Sequence, residues 1–112
     1  MAALMRAFLI YCYAILICST VPFSPSFSQS PAAQRGLVFV RTHCARCHAI
    51  DRVSPSPLQI APPFRELHKR YPIETLKEAF AEGIRTGHPS MPEFRLDPVQ
   101  INDVIAYLKS LE

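Results

Sequence analysis

Residues 43–50 read HCARCHAI, and the pentad Cys44-Ala45-Arg46-Cys47-His48 within it constrains this chain more than any other feature. Two thiols at i and i+3, followed at once by an imidazole, can serve three chemistries: a redox dithiol, part of a zinc site, or covalent attachment of haem. A thioredoxin-type dithiol opens a helix after a strand in a βαβ setting. Here an apolar run, Leu37 to Val40, precedes the cysteines, and no parallel-sheet pattern exists. A closed structural zinc site needs four ligands, and no second histidine pair follows His48 at zinc-finger spacing. A plain disulfide across so short a loop removes little chain entropy. Haem attachment uses every residue of the pattern. Cys44 and Cys47 can each form a thioether to a vinyl group of one porphyrin, and His48 then lies under the plane, where its imidazole can bind the iron.

The N-terminus bounds where this chemistry takes place. Arg6 is the only charge before Arg35, Ala7 to Val21 is almost wholly apolar, and a Ser/Pro-rich run follows. A short positive region, an apolar stretch of about 15 residues and small residues at a cleavage point make a secretory signal. Ser26 and Ser28 fit the positions a signal peptidase reads, so residues 1–28 are expected to be a signal peptide and residues 29–112 the working domain. The alternative is an uncleaved N-terminal membrane anchor, although the apolar stretch is short of the roughly 20 residues a span needs. Cleavage would leave 84 residues, one domain at most, with Cys44 and Cys47 as its only cysteines and Met91 as its only methionine. A chain of that size buries little core and commonly needs a metal, a disulfide or a cofactor to hold it.

The working part reads as all-α with long loops. A helix is predicted from about Ala32 to Arg46, with Leu37, Val38, Phe39 and Val40 as its buried side; the same β-rich run also admits a strand. Residues 51–64 hold four prolines and form a loop. A short helix over 63–71 would put Phe64, Leu67, His68 and Tyr71 on one face. A second helix, opened by Pro72, carries Ile73, Leu76, Phe80 and Ile84 on one side and ends near Gly83 or Gly87. Residues 85–97 form a second loop, where Pro89 and Pro92 stiffen the chain around Met91. The last helix has an N-cap at Asp97, Pro98 at its first position, a capping-box Gln100, and a stripe of Ile101, Val104, Ile105, Leu108 and Leu111.

A haem iron held by His48 alone would leave one face open to gases or peroxide, whereas a second strong ligand makes an electron carrier. Histidine plus methionine raises the reduction potential. Met91 lies far enough from His48 along the chain to cross a haem. His88 is the rival ligand, and His43 and His68 read as surface polar residues.

The chain resembles the class I cytochrome c family, the small bacterial monohaem type, over nearly all of Ala32 to Glu112. GLVFVRTHCARCHAI is similar to that family's first helix and haem motif. IAPPF resembles its Gly-Pro-Pro segment, which implies that the Pro62 carbonyl accepts a hydrogen bond from the His48 imidazole. GHPSMPEF resembles the distal loop, implying Met91 as the ligand. INDVIAYLKSL resembles the closing helix, implying that Tyr107 and its neighbours cross the first helix near Gly36. Val40 stands where relatives often carry an aromatic residue, and Ala61 replaces the usual glycine.

The expectation is therefore a periplasmic, one-electron carrier with one haem c, held by Cys44 and Cys47 and ligated by His48 and Met91. It would be a monomer rather than an enzyme, would exchange electrons with donor and acceptor proteins, and would not insert stably in the membrane once its signal is cleaved. A dedicated nucleic-acid binder is excluded by a charge of +3 without a basic run. Residues 29–60 carry Arg35, Arg41, Arg46 and Arg52 against Asp51, whereas residues 61–112 carry seven basic and eight acidic side chains. A basic rim facing acidic partners is one reading of that asymmetry, and an ordinary solvated surface is the other.

Overall fold

The computed structural model describes residues 28–84 and 90–112. The expected signal peptide, apart from Ser28, lies outside them, as do Gly87 and His88. Among the described residues the chain is helical without a strand. Helix α1 spans Pro31–His43, two 3₁₀ helices span Phe64–Lys69 and Ile73–Thr75, α2 spans Leu76–Glu82, and α3 spans Pro98–Lys109. A single antiparallel bridge joins Ile84 to Phe94. No described helix is long and apolar enough to cross a membrane.

The β-rich segment of α1 is helical because both its ends and its face favour that state. The Ser30 hydroxyl accepts from the Ala33 amide at 3.2 Å, and Pro31 fills the first turn, where no amide is needed. The buried side is Ala33, Gly36 and Val40. Leu37 and Phe39 pack partly against the core, whereas Val38 is 63% exposed and does not belong to the buried side expected of it. The helix also ends at His43, three residues before the predicted Arg46.

α1 crosses α3 in the main helix–helix interface. Gly36 permits the crossing: a Cβ there would overlap the Asp103 carbonyl and the Tyr107 Cβ. Arg35 seals the edge of the crossing with a forked ion pair, Nε and Nη2 each donating to the buried Asp103 carboxylate at 2.7 Å. Beneath the crossing lie Val40, Phe64, Leu67, Ile73 and the stripe of α3.

The α3 start is the capping box expected of it. Asp97 Oδ1 accepts from Val99 and Gln100 amides at 2.8 and 2.9 Å, and Gln100 Oε1 accepts from the Asp97 amide at 3.1 Å. The segment after Pro63 differs from the expected α-helix. It is 3₁₀, so a period of three buries Phe64 and Leu67 and leaves His68 and Tyr71 exposed. The following helix is likewise interrupted, opening as 3₁₀ and turning α at Leu76. Gly83 closes it with φ +103°, a conformation open to glycine.

Candidate functional site

The site begins where α1 stops. The Cys44 and Ala45 amides both donate to the Val40 carbonyl, at 2.8 and 3.0 Å, and the chain then makes one separate turn. That turn is closed by Cys47 and His48 amides donating to the Cys44 carbonyl at 3.1 and 3.0 Å. Cys44, Cys47 and His48 thus share one hydrogen-bonded turn, and all three are half-buried. Burial pushes the Cys44 thiol up to about 11, with the neighbouring Cys47 a smaller cause. A redox-active dithiol works by the opposite shift, towards thiolate.

The proline-rich loop folds back onto this turn and fixes it from outside. Leu58 donates its amide to the Cys47 carbonyl at 3.0 Å, Ala49 donates to the Ser56 hydroxyl at 3.0 Å, and Phe64 donates to the Ala49 carbonyl at 2.9 Å. Asp51 turns the loop by accepting from the Val53 and Ser54 amides at 2.8 and 2.6 Å, and these bonds hold its carboxyl below the usual range. Arg65 braces the loop by donating to the Ser54 carbonyl at 2.7 Å.

His48 is oriented by two of these neighbours. Its Nδ1 lies 2.8 Å from the Pro62 carbonyl oxygen, and its ring stands 4.9 Å from that of Phe64. A carbonyl can only accept, so in the neutral imidazole Nδ1 carries the proton and Nε2 keeps the lone pair. This is the arrangement by which proteins present Nε2 to a metal. Tyr107 reaches from α3 to the same region, donating its hydroxyl to the Ile50 carbonyl at 2.6 Å.

Cys44, Cys47, His48 and Pro62 therefore form one bonded unit. Met91 stands on the separate segment 90–97, half-buried in a bend before Pro92. That segment is tied to the end of α2: the Ile84 amide donates to the Phe94 carbonyl at 3.0 Å and the Leu96 amide to the Phe80 carbonyl at 2.9 Å. His43, expected to be merely a surface residue, stacks its ring 4.5 Å from Phe39 and meets Phe94 edge-on at 6.4 Å. Its i+4 spacing from Phe39 was visible in the sequence; its contact with Phe94 was not. Of the four arginines of the expected basic rim, Arg35 is paired with Asp103 and Arg52 donates to the Ser110 carbonyl. Arg41 and Arg46 are exposed at the C-x-x-C-H turn.

A family model described as Cytochrome c matches residues 33–112. The chain belongs to the cytochrome c family. It is also 29% identical over 97 residues to a protein named cytochrome c-552 from Bradyrhizobium diazoefficiens, a match that covers 85% of this chain and 91% of that one. No solved structure matches it. Membership in the cytochrome c family makes the chain a haem electron carrier with redox partner proteins, and it implies haem c bound covalently. The all-α architecture of α1, α3 and the looped segments between them is that family's small fold.

Proposed function

We propose that this cytochrome c is an exported monohaem one-electron carrier with His48 and Met91 as axial ligands. Residues 1–28 act as the signal peptide that takes it to the periplasm, and residues 29–112 form the carrier domain. Cys44 and Cys47 hold haem c through two thioethers. His48 Nε2 takes the proximal position and the Met91 thioether the distal one. Pro62 acts through its carbonyl on His48.

The observation that carries this reading is the His48 Nδ1 to Pro62 carbonyl distance of 2.8 Å within the C-x-x-C-H turn. It fixes the tautomer, aims the free lone pair away from the loop, and makes the imidazole a stronger donor. The surroundings suit a large apolar plane. Leu37, Phe39, Ile50 and Phe94 are only partly buried at the edge of the core, so a cofactor can complete their burial. Bound there, haem iron supplies a one-electron couple. The chain's own part is to keep both ligand donors in place in either oxidation state, to hold water away from them, and to set the potential through ligand identity, hydrogen bonding and burial. With both axial positions filled, such a site passes electrons without binding a substrate, so the protein acts as a carrier rather than an enzyme.

The test is an absorption spectrum of the exported protein, oxidised and reduced, after acid–acetone extraction. Haem that stays with the chain, a low-spin reduced spectrum, and the weak red band of an iron–thioether bond in the oxidised form are expected. Covalent haem without that band removes Met91 and turns attention to His88 or to an open distal face. A colourless protein with two titratable thiols ends the haem assignment.

A further inference from the structure

Four contacts among the described residues bear on the short segment that carries Met91. From one side, the end of α2 holds it by main-chain bonds: Ile84 to Phe94 at 3.0 Å and Leu96 to Phe80 at 2.9 Å. Arg95 adds a side-chain bond to the Glu82 carbonyl at 3.0 Å. All of these link residues 94–96 to residues 80–84, which are near in sequence and belong to the same part of the fold. The remaining contact is different in kind. Phe94 turns its ring against His43, the last residue of α1, and His43 is itself stacked on Phe39 one helical turn earlier. His43 immediately precedes Cys44. The Phe39–His43–Phe94 stack is thus a side-chain tie between the helix that ends in the attachment turn and the segment that bears Met91.

The composition of the stack also calls for a reason. His43 is exposed, and an exposed polar side chain at a helix end gains nothing by ordering itself unless the contact returns something. Two ring contacts at 4.5 and 6.4 Å lie within the range where aromatic pairs attract beyond their area burial. Phe94 is partly buried against the core, and the His43 ring packs edge-on against it.

We infer that His43 is a positioning residue: by stacking between Phe39 and Phe94 it fixes the root of the Met91 segment to the end of α1, and so holds the Met91 sulfur on the haem iron. The inference rests on Met91 as distal ligand. His43 acts through its ring, not through its charge, and touches neither iron ligand in this assignment.

The experiment uses the haem-loaded protein and free imidazole as the competing ligand. In wild type the red thioether band is recorded first. The rate of imidazole uptake by the oxidised protein is then measured for wild type, His43→Ala, His43→Phe and Phe94→Ala, together with hydrogen exchange at the Ile84 and Leu96 amides. Loss of an aromatic pair predicts about three- to ten-fold faster uptake in His43→Ala and Phe94→Ala, and similarly faster exchange at those two amides. His43→Phe restores both to near wild-type values, and the double alanine variant is no faster than the worse single one. A general loss of stability would instead speed exchange across α1 and α3 as well. If wild type lacks the red band, the Met91 assignment and this inference fall together. If the band is present but His43→Ala takes up imidazole at the wild-type rate, or His43→Phe fails to restore it, the positioning role alone is overturned.

Discussion

At the scale of single residues, the C-x-x-C-H turn is held by groups that answer one another's unmet hydrogen bonds. His48 is set by a backbone carbonyl, and the carbonyl two residues beyond it, Ile50, is satisfied from α3 by the Tyr107 hydroxyl at 2.6 Å. Tyr107 is 4% exposed, and burial raises its phenol above the ordinary range, so it stays a neutral donor. Tyr107→Phe keeps the ring and deletes the donor, leaving the Ile50 carbonyl short of a partner. The expected loss is about 1–2 kcal/mol of unfolding free energy, read as a lower denaturant midpoint at unchanged slope. On the proposed ligation by Met91, the choice of donor atom governs the potential. Met91→His is expected to stay low-spin, to lose the red thioether band and to lower the reduction potential, which equilibrium redox titration reads directly. A potential unchanged by that substitution would count against Met91 as a ligand.

At the scale of elements, the fold rests on the α1–α3 crossing, and Gly36 sets how closely the helices approach. Alanine at an ordinary helical position is better than glycine by about 1 kcal/mol, but the obstacle at Gly36 is the Asp103 backbone, which cannot rotate away. Overpacking costs about 1–3 kcal/mol or more, so Gly36→Ala is expected to destabilise, with a lower midpoint on thermal melting. A second tie joins the Ile73–Thr75 turn to the end of α3: Glu74 accepts from Lys109 at 2.6 Å and from Lys77 at 2.5 Å. The Lys109 bond, then the Lys77 bond, lowers the Glu74 carboxyl to about 2. Because the folded value lies below the unfolded one, this stabilisation is present above about pH 4.5 and fades as pH falls towards 2. A modest midpoint difference between wild type and Glu74→Gln at pH 6 should therefore vanish by pH 2, and shrink in high salt because the pair is exposed. How far these elements were legible follows from the range of the signals involved. The α3 cap and stripe are local patterns, and both are readable. The C-x-x-C-H turn is local too. The α1 run was ambiguous because its valines favour strand, and only the Ser30 cap and the Gly36 crossing decide it. The 3₁₀ character after Pro63 has no clear local signal, so α-helical periodicity assigns His68 and Tyr71 to a face they do not share. The ties of His43 to Phe94 and Tyr107 to Ile50 bridge more than 50 residues, beyond the reach of periodicity.

At the scale of the whole molecule, charge and core point in the same direction, towards a surface and an interior organised around the C-x-x-C-H turn. With Arg35 paired to Asp103 and Arg52 bonded to the Ser110 carbonyl, the basic asymmetry that remains near the turn is Arg41 and Arg46. Electron transfer to an acidic partner should slow as ionic strength rises, and should lose that sensitivity in an Arg41→Gln/Arg46→Gln variant; equal rates at low and high salt would mark these arginines as solvated surface only. The interior makes the stronger demand. Among larger side chains of the described residues, only Val40 and Leu108 fall below 2% exposure. Phe39, Ile50, Phe80, Ile84 and Phe94 pack on the core but stay partly open. A domain near 80 residues has little stability in reserve, and burial returns about 25 cal/mol for each Å² of apolar surface, so covering those side chains decides whether the chain folds. The loop bonds to Cys47, His48 and Ala49 order a stretch that contains no regular helix, at a further cost in chain entropy. A Cys44→Ala/Cys47→Ala variant freed of haem is therefore expected to lose most of its helical circular dichroism at 25 °C and to melt without a sharp transition. A haem-free chain that kept its helix content and a cooperative melt would show that the α1–α3 crossing is sufficient by itself, and that the cofactor is carried by the fold without being part of its core.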